Sequence, residues 1–117
     1  MKRPRGCSNS TLDRLWSLRI KELAEHRCEV CGTTENLEAH HVQPRKMYSV
    51  RWDLDNGVCL CHRCHKLGGF SAHKNPLGFL RYIIAQRGDE WAERLECRTV
   101  NNTDWRDNIE LIKRRLM

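Results

Sequence analysis

Apolar residues from Leu12 onward recur at three- and four-residue steps, through Leu15, Trp16, Ile20 and Leu23, the spacing of one face of an α-helix. Ser10 followed by Asp13 resembles a capping box with aspartate in the glutamate position, and the helix is predicted to end near Arg27. Leu37 to Val42 reads as a short strand stopped by Pro44, and Gly57 to Leu60 as a second strand entered at Asn56. Together they predict a two-stranded ribbon with a long connecting loop. Cys61 to about Leu67 begins a helix that Gly68-Gly69 interrupts. Asn75 and Pro76 suit the N-cap and first turn of the next helix, whose apolar face is expected from Leu80, Ile83 and Ile84 and whose end is Gly88. Asp89 to Cys97 predicts a short helix around Trp91 and Leu95. Thr103 to Leu116 predicts a last one, with Trp105, Ile109, Ile112 and Leu116 on one side. The fold class expected is α+β, a β-β-α centre with flanking N- and C-terminal helices.

A chain of 117 residues fits one small domain, whose modest core a structural metal would supplement. It divides into a basic arm and first helix over 1–27, a metal-organised centre over 28–73 and a helical extension over 74–117. There is no internal repeat. Lys and Arg number 21 against 15 Asp and Glu, a net charge of +6 that suits an anionic partner, nucleic acid before others. No apolar segment follows Met1-Lys2-Arg3-Pro4-Arg5, and no stretch reaches the ~18 apolar residues of a membrane span, so a cytoplasmic, membrane-free protein is expected. In a reducing compartment, spaced cysteines bind metal rather than pair as disulfides.

Seven cysteines are present, four of them in two C-x2-C pairs, Cys28/Cys31 and Cys61/Cys64. Each such pair presents two thiolates at one tight turn, and two pairs complete a tetrahedral structural Zn2+ site. Gly32 provides the positive φ that a knuckle turn uses. Cys59 offers a competing ligand, but Cys61 matches the spacing of the first pair, and Cys59 is expected to be a buried packing residue, leaving Cys7 and Cys97 unassigned. His40, His41, Asn56, His65 and His73 lie between and just after these pairs, so closing the zinc site would gather them. Four thiolates saturate zinc, which leaves the histidines for a second, open metal or for catalysis. Adjacent strand residues point apart, so His40 and His41 are expected to play different parts rather than share one ion. His26 and His62 are read as ordinary satisfied histidines.

The order His40-His41, a loop, Asn56, then Cys61-x2-Cys64-His65 resembles the HNH endonucleases, or ββα-metal nucleases, and in particular their zinc-bearing four-cysteine members of phage and bacteria. The likeness covers about Cys28 to His73. It implies that His41 is the general base, that His40 and His65 ligate a catalytic divalent ion, and that Asn56 holds the loop and orients His41. His73 would join the ligands if the chain breaks at the glycine pair and turns back. Imidazole ligands favour Mn2+, Ni2+, Co2+ or Zn2+ over Mg2+, although Mg2+ also serves this family. Arg45, Lys46, Arg51, Arg63 and Lys66 are candidate phosphate contacts.

The function expected is metal-dependent DNA hydrolysis leaving 5′-phosphate and 3′-hydroxyl ends, with activity falling below the ordinary histidine pKa of ~6.5. The alternative is a catalytically inactive zinc-ribbon DNA-binding or phage-packaging accessory protein, or one that assists recombination partners. Substrate form, sequence preference and oligomeric state are not readable from the chain.

Overall fold

In the computed structural model, residues 9–100 and 108–117 are described. The element order is α1 (Asn9–Leu23), β1 (Leu37–His41), β2 (Gly57–Cys61), α2 (Pro76–Arg87), α3 (Asp89–Thr99) and α4 (Ile109–Leu116). A short helical turn, Leu54–Asn56, precedes β2, and one wide turn, Arg63–Leu67, follows it. β1 and β2 pair antiparallel, with Leu37 opposite Cys61, Ala39 opposite Cys59 and His41 opposite Gly57.

Strand alternation builds the core on two sides of this ribbon. Val58 and Leu60 of β2 pack with Val50, Phe79, Ile83, Trp91 and Leu95, on the side of α2 and α3. Cys59 points the other way, into a cluster of Leu12, Trp16, Ile20, Trp52, Ile109 and Leu116 that joins α1 to α4. A strand buried on both faces reads as a continuous apolar run, and Val58-Cys59-Leu60 is one. Cys59 is thus a packing residue, fully buried, while Cys61 joins the knuckle.

Several boundaries differ from the sequence reading. α1 stops at Leu23, because Glu25 and His26 adopt left-handed backbone (φ 56° and 55°) and turn the chain toward the first knuckle. Ser10 lies inside α1. The Asp13 carboxylate accepts hydrogen bonds from Arg51 and Trp52. The centre is β-β-α as expected, but its helix shrinks to Arg63–Leu67, closed by Gly68 N–H donating to the Arg63 carbonyl at 2.8 Å. α2 has its expected cap, Asn75 Oδ1 accepting from Gly78 N–H at 3.2 Å. It buries Phe79 and Ile83, with Ile84 partly covered, while Leu80 is exposed. In α4, Ile109 and Leu116 are buried and Ile112 is packed beside them, whereas Trp105, the predicted start at Thr103, Cys7 and the basic arm lie outside the described residues.

The extension does more than cover the core. Trp91 Nε1 donates to the Asp55 carbonyl at 2.8 Å, and Arg87 donates to the Gly57 carbonyl at 2.9 Å and to Glu29 at 2.9 Å. Arg98 bridges Asp53 and Asp55 at 2.9 and 2.8 Å, and Ser49 Oγ donates to the Thr99 carbonyl at 2.8 Å. α2 and α3 therefore clamp the loop between β1 and β2, which carries part of the site. Among the described residues no helix is long and apolar enough to cross a membrane.

Candidate metal centres and active-site cleft

The sulfurs of Cys28, Cys31, Cys61 and Cys64 all lie within 4.8 Å of one another, with Cys31 and Cys61 at 3.6 Å. Four thiolates at Zn–S of about 2.3 Å define tetrahedral edges near ~3.8 Å, so the cluster fits a structural zinc. The two knuckles are alike. Cys31 N–H donates to Cys28 Sγ and Cys64 N–H to Cys61 Sγ, each at 3.5 Å, and Gly32 has φ +79°. Burial raises the pKa of the Cys28 thiol, but hydrogen bonds from Cys31, Cys61 and Val30 outweigh it and bring it down to about 7, toward the thiolate a metal requires.

On β1, Glu38 and His40 share one face and Ala39 and His41 the other. His40 faces α2, its ring edge-on to Phe79 with centroids 5.2 Å apart. There it meets His65 and His73, and the ligand nitrogens of these three histidines all lie within 4.8 Å of one another. His65 Nε2 and His73 Nε2 are 3.0 Å apart, close to the separation of two ligands on one ion at ~2.1 Å. His73 arrives because the chain does turn back after the glycines. Ala72 N–H donates to the Cys64 carbonyl at 2.9 Å and His73 N–H to the His65 carbonyl at 3.1 Å.

Glu38 was not legible as a site residue. Its carboxylate takes His65 Nδ1 at 2.7 Å and His62 Nδ1 at 3.0 Å. A carboxylate only accepts, so Nδ1 of His65 carries the proton and the Nε2 lone pair is left facing His40 and His73. Burial raises the Glu38 pKa, yet the hydrogen bonds from His65 and His62 prevail and hold it below the usual value. Burial and the neighbouring imidazoles push His40 down to about 3, and burial lowers His65 despite Glu38, so both present neutral nitrogens. The available signal was strand period: Glu38 is two residues before His40.

His41 sits on the opposite face, stacked on Trp16 with centroids 3.8 Å apart and planes 11° from parallel. Its Nε2 is 2.9 Å from the Arg51 carbonyl. A carbonyl cannot donate, so Nε2 bears the proton and Nδ1 is the basic nitrogen. Burial pushes His41 down to about 4 although the Arg51 carbonyl pulls upward, so its neutral form extends well below the ordinary 6.5. Gly57, opposite His41, is the residue this stack demands. A Cβ there would overlap Ile20 and lie 2.8 Å from Trp16 Cζ2.

Asn56 is fully buried, and its side chain bonds the loop backbone rather than the His41 ring. Its Oδ1 accepts from Gln43 N–H at 2.6 Å, and its Nδ2 donates to the carbonyls of Gln43 and Val50 at 3.1 and 3.0 Å. It clasps both ends of the loop, and by fixing Val50 it fixes the adjoining Arg51 peptide that binds His41. Arg51 itself is turned inward, with Nε and one terminal nitrogen on Asp13 at 3.0 and 2.7 Å and the other on Tyr48 at 3.1 Å. Arg45, Lys46, Arg63 and Lys66 are exposed.

The two histidine sets open into one cleft of about 980 Å3, lined also by Arg45, Lys66 and Pro76. An HNH endonuclease family model matches residues 28–69, from the first knuckle to the glycine pair. Neither the curated proteins nor the solved structures contain a significant match. Over that segment, a little over a third of the chain, the protein is thus similar to the HNH endonucleases, and the same segment holds the four clustered cysteines.

Proposed function

We propose that the protein is a metal-dependent DNA endonuclease that hydrolyses phosphodiester bonds with His41 as general base, leaving 5′-phosphate and 3′-hydroxyl ends. One observation carries this reading. A neutral, rigidly held imidazole and a cluster of three histidine ligands stand on opposite faces of one strand and open into one cleft.

His41 Nδ1 takes the proton from the attacking water. Its Nε2–H stays on the Arg51 carbonyl, so the imidazolium that forms keeps its orientation and a polar partner. Trp16 supplies the flat support, and Asn56 secures the loop bearing that carbonyl. His40, His65 and His73 would hold a divalent ion, which when bound polarises the phosphate and stabilises the 3′ leaving oxygen. Glu38 orients His65 for that task. Cys28, Cys31, Cys61 and Cys64 would hold a structural Zn2+. Arg45, Lys46, Arg63 and Lys66 grip backbone phosphates around the cleft.

The test is nicking of supercoiled plasmid across Mg2+, Mn2+, Ni2+, Co2+ and Zn2+. His41→Ala is expected to lose about 10²- to 10⁴-fold in rate while keeping its zinc. Undiminished cleavage by that variant removes His41 as the base.

A further inference from the structure

Phe70 is 87% exposed, although its neighbours Ser71 and Ala72 are 1% and 3% exposed. This is no frayed tip. Ser71 N–H donates to the Gly68 carbonyl at 2.9 Å, Ala72 N–H to Cys64 at 2.9 Å and Lys74 N–H to Ser71 Oγ at 3.3 Å. The turn is pinned on both sides, and its register holds a phenyl ring out in water, where burial would otherwise favour it. Leu67 and Leu77, 58% and 63% exposed, flank it in sequence. Phe70 is three residues from His73, so its Cα is at most ~11 Å from that ligand's, about three base steps along a strand.

Along the chain on either side of this ring the formal charge is of one sign, and the Glu38 carboxylate that approaches the segment is taken up by His62 and His65. From His62 to Gly88 the chain carries Arg63, Lys66, Lys74, Arg81 and Arg87 and no carboxylate. Arg87 turns inward to Glu29, and the other four are exposed. A second copy of the chain meeting this face across a two-fold axis would set these cations against their own equivalents. A polyanion with accessible base faces meets both features at once, since phosphates satisfy the cations and a base stacks on the ring. Continuous duplex keeps its base faces covered, whereas mismatched, bulged or single-stranded DNA offers them.

We propose that Phe70 stacks on an unpaired base beside the scissile phosphate, so that the cleft takes DNA with a locally unpaired strand in preference to continuous duplex. This rests on the endonuclease reading above, and it is tested by binding so that the two can fail separately. The full zinc-loaded chain, without added divalent ion, is titrated against a continuous duplex and the same duplex with a short bulge containing 2-aminopurine. The parent is expected to prefer the bulged DNA and to quench the 2-aminopurine. Phe70→Ala is expected to lose about 5- to 150-fold of affinity for the bulged DNA alone, and Phe70→Trp to retain it. Equal melting temperatures confirm that the alanine variant is folded, and the quench in the parent needs no variant.

Equal binding of both DNAs by the parent, or an alanine variant that weakens both alike or neither, overturns the proposal. A parent dimer that Phe70→Ala dissociates also overturns it, and gives the face to a second copy. A bulge preference without cleavage under any divalent ion refutes the nuclease reading and leaves the stacking site standing. His41-dependent cleavage without a Phe70 effect refutes the stacking site alone.

Discussion

Asn56→Asp changes one NH2 group to an oxygen at a fully buried position, and the surrounding geometry dictates a large, pH-dependent cost. The amide makes three hydrogen bonds: Oδ1 accepts from Gln43 N–H at 2.6 Å, and Nδ2 donates to Gln43 and Val50 carbonyls at 3.1 and 3.0 Å. Aspartate keeps the first and sets a carboxylate oxygen against two carbonyl oxygens. Losing two buried hydrogen bonds and stranding their acceptors costs about 1–3 kcal/mol for each group, so roughly 3–5 kcal/mol at neutral pH once the buried charge is included. Protonation restores one donor. The variant's folded-state carboxyl pKa is therefore raised above the unfolded value of ~3.9. Its penalty is smallest below that value and reaches its full size as pH rises through the folded pKa. Urea denaturation with zinc in excess, at pH 7.5 and pH 5.0, measures both terms. Asn56→Ala, which carries no charge, should lose ~3 kcal/mol with little difference between the two pH values. An aspartate variant as stable as the parent at pH 7.5, or one equally destabilised at both pH values, refutes the clasp. A tighter divalent site in Asn56→Asp would show instead that this side chain faces the metal.

Asp13, whose burial raises its pKa but whose hydrogen bonds from Arg51 and Trp52 win and lower it, stabilises the fold above pH ~4 and loses that contribution as pH falls through its depressed folded value. Asp13→Asn should cost about 2 kcal/mol at pH 7 and flatten the stability profile between pH 5 and 3, read by urea midpoints; an unchanged profile would dismiss the pair. Cys61→Ser should abolish stoichiometric zinc and most helical circular dichroism, whereas Cys59→Ser should keep zinc and lose only about 1–2 kcal/mol from the core; zinc loss in the second variant would reverse the ligand assignment. Gly57→Ala should destabilise by about 1–3 kcal/mol and cut cleavage further by displacing Trp16 from His41, and a melting curve identical to the parent's would show that the contact yields freely.

The two C-x2-C pairs lie within 28–73, and their fixed spacing suffices to predict that the four thiols meet; that His40 and His65 meet is what the resemblance of the His-His, Asn, His order to the HNH endonucleases implies. His40 and His41 part company for a reason visible in the sequence, the two-residue period of a strand. Other features depend on residues far apart. Arg51 reads as a free cation because its partner, Asp13, is 38 positions away on α1. Glu38 reads as an ordinary strand acid because His65 is 27 positions on. The glycine pair made His73 ambiguous, since nothing local says whether a broken helix leads away from the site or back to it.

By itself, then, the sequence determined the α+β elements and the four-thiolate cluster, because these follow from periodicity and short spacings, while the resemblance to a known family singled out the candidate histidines. The tertiary structure decided the rest: the return of His73, the Glu38 bond that turns the His65 Nε2 lone pair toward His40 and His73, and the Trp16 and Arg51 contacts that fix the face and tautomer of His41. Each of these is a contact between separate segments closed only when the chain folds around the ribbon, and orientation and proton position are set by such contacts rather than by residue type.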